Sequence, residues 1–232
     1  MDITFERPQP LAKLVSDKLR TAIVEGAFSM GQPLSENMLA KLFNISKTPI
    51  KHALTELRNE GIVEIIPQKG TYVFTVTSED VAQLCDMREI LEAKALQTAY
   101  EKNKTQMLCT LEAIYNMMLK TREAHDTIEY LRLDSSYHQA IMDLSKNPYL
   151  INGYKGISVK TRAILFHLAD SPLDHKDRFE EHGDILQNLK DGNLKKAVSI
   201  IQKHVQRLAR VDFSRLEDFG ARNMALLSQA FL

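Results

Sequence analysis

With 232 residues, 44% of them hydrophobic and 26% charged, and with only nine Gly and seven Pro, the chain has the composition of a helix-rich globular protein and not of a disordered or fibrous one. Thirty Lys+Arg balance thirty Asp+Glu, so net charge announces no nucleic-acid partner and the information has to lie in local patterns. No apolar run approaches the roughly 20 residues of a membrane span, and Met1 to Arg7 lacks a signal-peptide core, which predicts a cytosolic protein without a membrane partner.

Pro10 precedes Leu11, Val15, Leu19 and Ile23, spaced four apart as on one helix face, until Gly26 stops the helix. Gly31-Gln32-Pro33 predicts a turn, after which Ser35 or a neighbour caps a short helix carrying Met38, Leu39, Leu42 and Phe43, closed by Asn44. Thr48 and Pro49 suit the cap and first position of a third helix, whose inward stripe is Ile50, Ala53, Leu54 and Leu57 and whose opposite face shows Lys51, His52 and Thr55. After Gly61, the β-rich runs Ile62 to Ile66 and Thr71 to Val76 flank Pro67-Gln68-Lys69-Gly70 and predict a hairpin.

Three helices and a hairpin make a winged helix-turn-helix, in which the third helix enters the major groove of double-stranded DNA. No acidic residue separates Glu36 from Glu56, while Lys41, Lys47, Lys51 and His52 fall inside that stretch. Lys47 and Lys51 are candidates to reach guanine edges or phosphates, Ser35 and Thr48 offer helix N-termini to phosphate oxygens, and Lys69 and Gly70 sit at the hairpin tip. The competing reading is a protein-interaction module with an ordinary solvated face.

Residues 11 to 76 resemble the GntR family of bacterial regulators, through Gly31-Gln32-Pro33-Leu34-Ser35-Glu36, Ser46 to Leu54, Leu57, Glu60-Gly61 and Pro67 to Val73. The resemblance implies operator contacts at Lys47, Lys51 and His52. The family usually carries Arg at the two lysine positions and Glu at His52, and because Lys lacks the bidentate fork of Arg, the family's operator sequence is not carried over.

Beyond a boundary at Val76, residues 77 to 232 read as helices only: about Glu79 to Lys102 with Ser78 as cap, Thr105 to Ala124, Thr127 to Lys146, Pro148 to Ala169, His175 to Lys190, Leu194 to Asp212 and Arg215 to Ala230. Short loops predict an antiparallel bundle of six or seven helices behind the 1–76 head, a mostly α protein. Cys85 and Cys109 lie on apolar helical patterns without a CxxC partner and are expected as buried, reduced thiols.

Asp134 and His138, four apart, project from one helix face. His182 is 10 residues before Gly192 and His204 is 12 after it, so in an antiparallel pair rising about 1.5 Å per residue the two imidazoles sit within roughly 3 Å of one height. Three imidazoles and a carboxylate suit a divalent metal ion, Zn²⁺ first and Ni²⁺ or Mn²⁺ as alternatives, with positions left for water or an anion. An Asp/His pair at i, i+4 is also a common helix-surface contact, and His125, His167 and His175 carry no ligand pattern.

This half resembles the FCD effector domain found behind many GntR heads, through Met87 to Glu92, Asp134 to His138, Asn147 to Leu150, Glu181 to Ile185 and His204. The resemblance implies a metal held by Asp134, His138, His182 and His204 and a small carboxylate effector, a sugar acid or other organic acid, held on it. Arg88 is the candidate to pair with that carboxylate, against the competing reading of a surface salt bridge with Glu92. The function expected is a homodimeric repressor on a palindromic operator. A metal-dependent enzyme is the rival, weakened by the lack of an HExxH run or of a general base placed by motif, and a direct sensor of the metal is a third reading.

Overall fold

The computed structural model describes residues 9–169 and 175–211. They fall into two compact units, one ending at Thr75 and the other beginning at Val76.

In the first unit α1 (Leu11–Val24), α2 (Glu36–Phe43) and α3 (Lys47–Asn59) precede an antiparallel hairpin of β1 (Val63–Ile66) and β2 (Gly70–Val73). The core is built by Leu19 and Ile23 of α1, Leu39 of α2 and all four predicted stripe residues of α3, Ile50, Ala53, Leu54 and Leu57, each buried. Leu11 is not part of it: the stripe on α1 starts at Val15, and Leu11 is 49% exposed because the first turn overhangs the core. Met38 and Leu42 of α2 are likewise exposed, leaving Leu39 as its one buried residue. Asn44 ends α2 in the left-handed conformation at φ 52°, as the sequence pattern requires.

The cap of α3 is Ser46, so Lys47 begins the helix and Pro49 takes its third position instead of its first. That shift costs nothing, since none of the first four helical N–H groups has an intrahelical acceptor. Arg20 clamps α1 to the far end of α3: its Nε and Nη2 each donate to Glu60 at 2.6 Å, and Lys13 Nζ donates to Glu56 Oε1 at 2.9 Å. The hairpin gains a third member that the sequence pattern does not reveal. Gly31 N–H donates to Val73 O, Val73 N–H to Gln32 O and Leu34 N–H to Thr71 O, so the chain entering α2 lies along the edge of the wing.

The second unit is a helical bundle: α4 (Ser78–Glu123), α5 (Thr127–Leu144), α6 (Pro148–His167), α7 (His175–Lys190) and α8 (Leu194–Gln206), closed by the 3₁₀ turn Arg207–Arg210. The two helices expected either side of residue 103 are present as the two arms of α4, separated by non-helical dihedrals at Asn103 (φ −138°, ψ 35°). Asn103 Nδ2 donates to Leu144 O at 2.8 Å, so the kink is held against the end of α5. Thr77, not Ser78, caps α4, in a capping box: Thr77 Oγ1 accepts from the Asp80 N–H and Asp80 Oδ2 accepts from the Thr77 N–H. The predicted helix Arg215 to Ala230 lies outside the described residues.

Cys85 is buried, and burial raises its thiol pKa. Cys109 is exposed, contrary to expectation, because the inward face of this part of α4 is set by Met107, Leu111 and Met118, and residue 109 stands nearly half a turn away. No helix among the described residues is long and apolar enough to cross a membrane.

Candidate functional site

The residues singled out in the head are all exposed: Ser35, Lys47, Thr48, Lys51, His52, Lys69 and Gly70. Four of them, Ser35, Lys47, Lys69 and Gly70, line one cleft of about 410 Å³ between the start of α2, the start of α3 and the wing tip. Ser35 Oγ accepts from the Met38 N–H, which places it as the cap of α2. The wing tip is shaped by Gln68 at φ 63° and Gly70 at φ 127°, and Tyr72 Oη donates to Lys69 O at 3.0 Å. Glu36 also borders this cleft, 3.8 Å from Lys51 Nζ, an exposed pair of small energetic weight that the sequence reading did not foresee.

In the bundle, Asp134 and His138 of α5, His182 of α7 and His204 of α8 converge, all buried, with one potential ligand atom from each lying within 4.8 Å of the others. The imidazoles of His182 and His204 have ring centroids 4.4 Å apart, so the equal-height argument from Gly192 holds. His138 Nε2 and His204 Nε2 are 3.1 Å apart, and His182 Nε2 has no hydrogen-bond partner, its nearest charged neighbour being Asp134 Oδ1 at 3.5 Å.

The other nitrogen of each ring faces an oxygen, hydrogen-bonded in His182 and His204 and at ion-pair distance in His138. His138 Nδ1 is 2.6 Å from Glu92 Oε2, His204 Nδ1 is 3.0 Å from Glu181 Oε2, and His182 Nδ1 is 2.7 Å from the Arg178 carbonyl. Such acceptors require Nδ1–H, which leaves a lone pair on each Nε2. Three inward lone pairs and a carboxylate in a dry interior repel one another unless a cation lies among them, so the donor set fits a divalent ion.

Charge reinforces this geometry. Burial would raise the Asp134 carboxyl, but the Arg178 guanidinium, whose Nη2 donates to Oδ1 at 3.3 Å, and the nearby imidazoles outweigh it and hold the carboxyl well below the usual range. Burial likewise opposes ionisation of Glu92, yet Arg88 beside it brings its pKa down to about 2. Burial pushes His182 down to about 3, and His204 too is driven well below the ordinary imidazole value, first by burial and then by His182 and Arg178.

Since His182 is neutral when folded and takes a proton below about pH 6.5 when unfolded, the unfolded state binds more protons between about pH 3 and 6.5, and stability falls as pH falls through that window. In chelator-stripped protein, the unfolding free energy measured in urea is expected to drop by about 1.4 kcal/mol per pH unit more steeply in wild type than in His182→Gln. Equal slopes would show that His182 is not buried as a neutral ring.

Arg88 and Glu92 are both buried, with Arg88 Nε donating to Glu92 Oε1 at 2.8 Å, so the pair is an interior one and not the surface salt bridge considered as the alternative. Sequence reasoning missed Arg178 and Glu181 and gave Glu92 only the surface role. The available signal was spacing: Arg178 stands one helical turn before His182, as Glu92 stands one turn after Arg88. Of the histidines given no duty, His167 is buried with Nδ1 2.7 Å from Ala163 O and His125 is exposed. Behind His182, the Tyr115 ring stacks on Phe179 with centroids 4.9 Å apart and closes over Gly183, where a Cβ would come 2.6 Å from the Tyr115 hydroxyl.

Two family models match the chain: the gntR family of bacterial regulatory proteins over residues 11–73 and the FCD domain over residues 83–207. Among relatives, the gluconate operon transcriptional repressor of Bacillus licheniformis is 25% identical over 75% of this chain and 70% of its own length. The HTH-type transcriptional repressor RspR of Escherichia coli is 21% identical over 87% of this chain and 88% of its own. A GntR transcriptional regulator from Rhodococcus sp. RHA1 superposes with a TM-score of 0.76 at 18% identity, covering 86% of this chain and 95% of that one, which supports the fold. With a DNA-binding head and a helical second domain each matched by its own model, the chain belongs to the GntR family of bacterial transcription regulators, in the group that carries an FCD domain.

Proposed function

We infer that the protein is a ligand-responsive repressor that binds a palindromic operator as a homodimer and is controlled by a small carboxylate, a sugar acid or other organic acid, at a divalent metal in the bundle. The observation that carries the sensory half is the inward trio of Nε2 atoms with Asp134, each ring with an oxygen within 3.0 Å of its Nδ1. Asp134, His138, His182 and His204 would hold the ion, Zn²⁺ first by ligand type and Ni²⁺ or Mn²⁺ as alternatives. When bound, such an ion supplies open coordination positions that accept a carboxylate oxygen.

For the DNA half, Lys47, Thr48, Lys51 and His52 at the exposed start of α3, Ser35 at the start of α2, and Lys69 and Gly70 on the wing are the residues assigned to the operator. Repression is supported by the two relatives named as repressors. A two-fold dimer matches half-sites related by the same axis.

The test is operator binding and thermal unfolding of metal-loaded and chelator-stripped protein against a panel of small carboxylates. One acid should raise the unfolding midpoint and weaken operator binding, both effects vanishing on chelation. Operator affinity that follows free metal with no acid present would replace this reading with a direct metal sensor.

A further inference from the structure

Apart from its inward-facing ligand atoms, the cage holds four buried ionised side chains in two pairs, Arg88 with Glu92 and Arg178 with Asp134, and each pair is neutral. Neither guanidinium is satisfied by its carboxylate. Arg88 keeps Nη1, and Arg178 keeps both Nε and Nη1, buried without a hydrogen-bond partner. Both side chains are at least 98% buried, and both act electrostatically on Asp134 and on His204, so they flank the same centre from α4 and α7. Glu181, the remaining carboxylate beside the ligands, accepts from Arg207 Nε at 2.7 Å, at a more exposed rim where Arg207 Nη1 also pairs with Asp177 at 3.3 Å.

A divalent ion added to this neutral cage leaves two positive charges uncompensated in the interior, where unbalanced charge is costly. Two charges and three idle donor nitrogens are more than a single carboxylate can answer. We propose that the effector is a small dianion with two acid groups, one directed to the metal position and the other taken by the idle donors of Arg178 and Arg88. This rests on the metal reading above and narrows its ligand class. Arg178 then has two tasks, holding Asp134 through Nη2 and offering Nε and Nη1 to the second acid group. None of these donors is open to solvent, so a ligand that reaches them has to displace packing around them, which ties occupancy to the arrangement of the helices.

The experiment is titration calorimetry on the full chain loaded with one equivalent of Zn²⁺, at about pH 7.5 where both acid groups are ionised, with metal content measured after each run. The probes are malonate, succinate and glutarate against propionate, butyrate and valerate, which have the same carbon skeletons and one acid group fewer. At least one dianion is expected to bind about 30-fold more tightly than its monoanionic partner. In Arg178→Gln that preference should fall to within about threefold, and Arg178→Lys should restore part of it. If every dianion in wild type stays within about threefold of its partner, or if the preference survives in Arg178→Gln, the dianion proposal is wrong while the metal reading stands. Failure of wild type to retain Zn²⁺, Ni²⁺ or Mn²⁺ overturns both.

Discussion

His182→Ala is expected to lose stoichiometric Zn²⁺ on dialysis that wild type survives, with affinity falling by about 10²–10³-fold. The size follows from dividing the ~10–16 kcal/mol of a four-ligand structural zinc site among its ligands, which assigns about 3 kcal/mol to each. The orphaned Nε2 of His182 is the ligand atom with least to lose elsewhere, since nothing in the protein hydrogen-bonds it. The stability readout should split cleanly. With free Zn²⁺ at about a thousand times its dissociation constant, wild type gains roughly 4 kcal/mol, a gain the variant does not share. Without metal, the two proteins should differ far less. Equal metal retention by wild type and variant would remove His182 from the ligand set.

The second large effect is expected from Lys47→Ala combined with Lys51→Ala. Both side chains are exposed at the start of α3, and neither contributes to the core, so the unfolding midpoint should stay put. Each lysine that neutralises a phosphate contributes about 0.9 to the slope of log affinity against log salt. Removing two should flatten that slope by about 1.8 and weaken binding by roughly one to two orders of magnitude near physiological salt. Fluorescence anisotropy with an operator fragment over a salt series measures both quantities at once. An unchanged slope would move the DNA contacts off the start of α3.

The winged helix was readable because its core is local: the Ile50, Ala53, Leu54 and Leu57 stripe fixes the orientation of α3, and the wing turn announces itself at Gly70. The edge pairing of Gln32 to Leu34 with the wing was not, since a backbone ladder between distant segments leaves no side-chain pattern. In the bundle, the convergence of His182 and His204 followed from rise per residue and one turn at Gly192. What escaped was the supporting shell. Arg178 and Glu181 look like two more charges on a polar stretch, and only the packing of α7 against α5 and α8 shows that Arg178 turns inward to Asp134 and Glu181 toward His204. The break expected before Thr105 is the kink at Asn103, whose non-helical dihedrals separate the two arms of α4.

The closure of Tyr115 over Gly183 ties two positions of different helices to each other. A side chain at position 183 would come within 3 Å of the Tyr115 ring tip, one residue from His182, and the ring that now stacks on Phe179 would have to shift. A larger residue at 183 therefore requires the Tyr115 side chain on α4 to move, so the two positions are coupled although they stand on different helices.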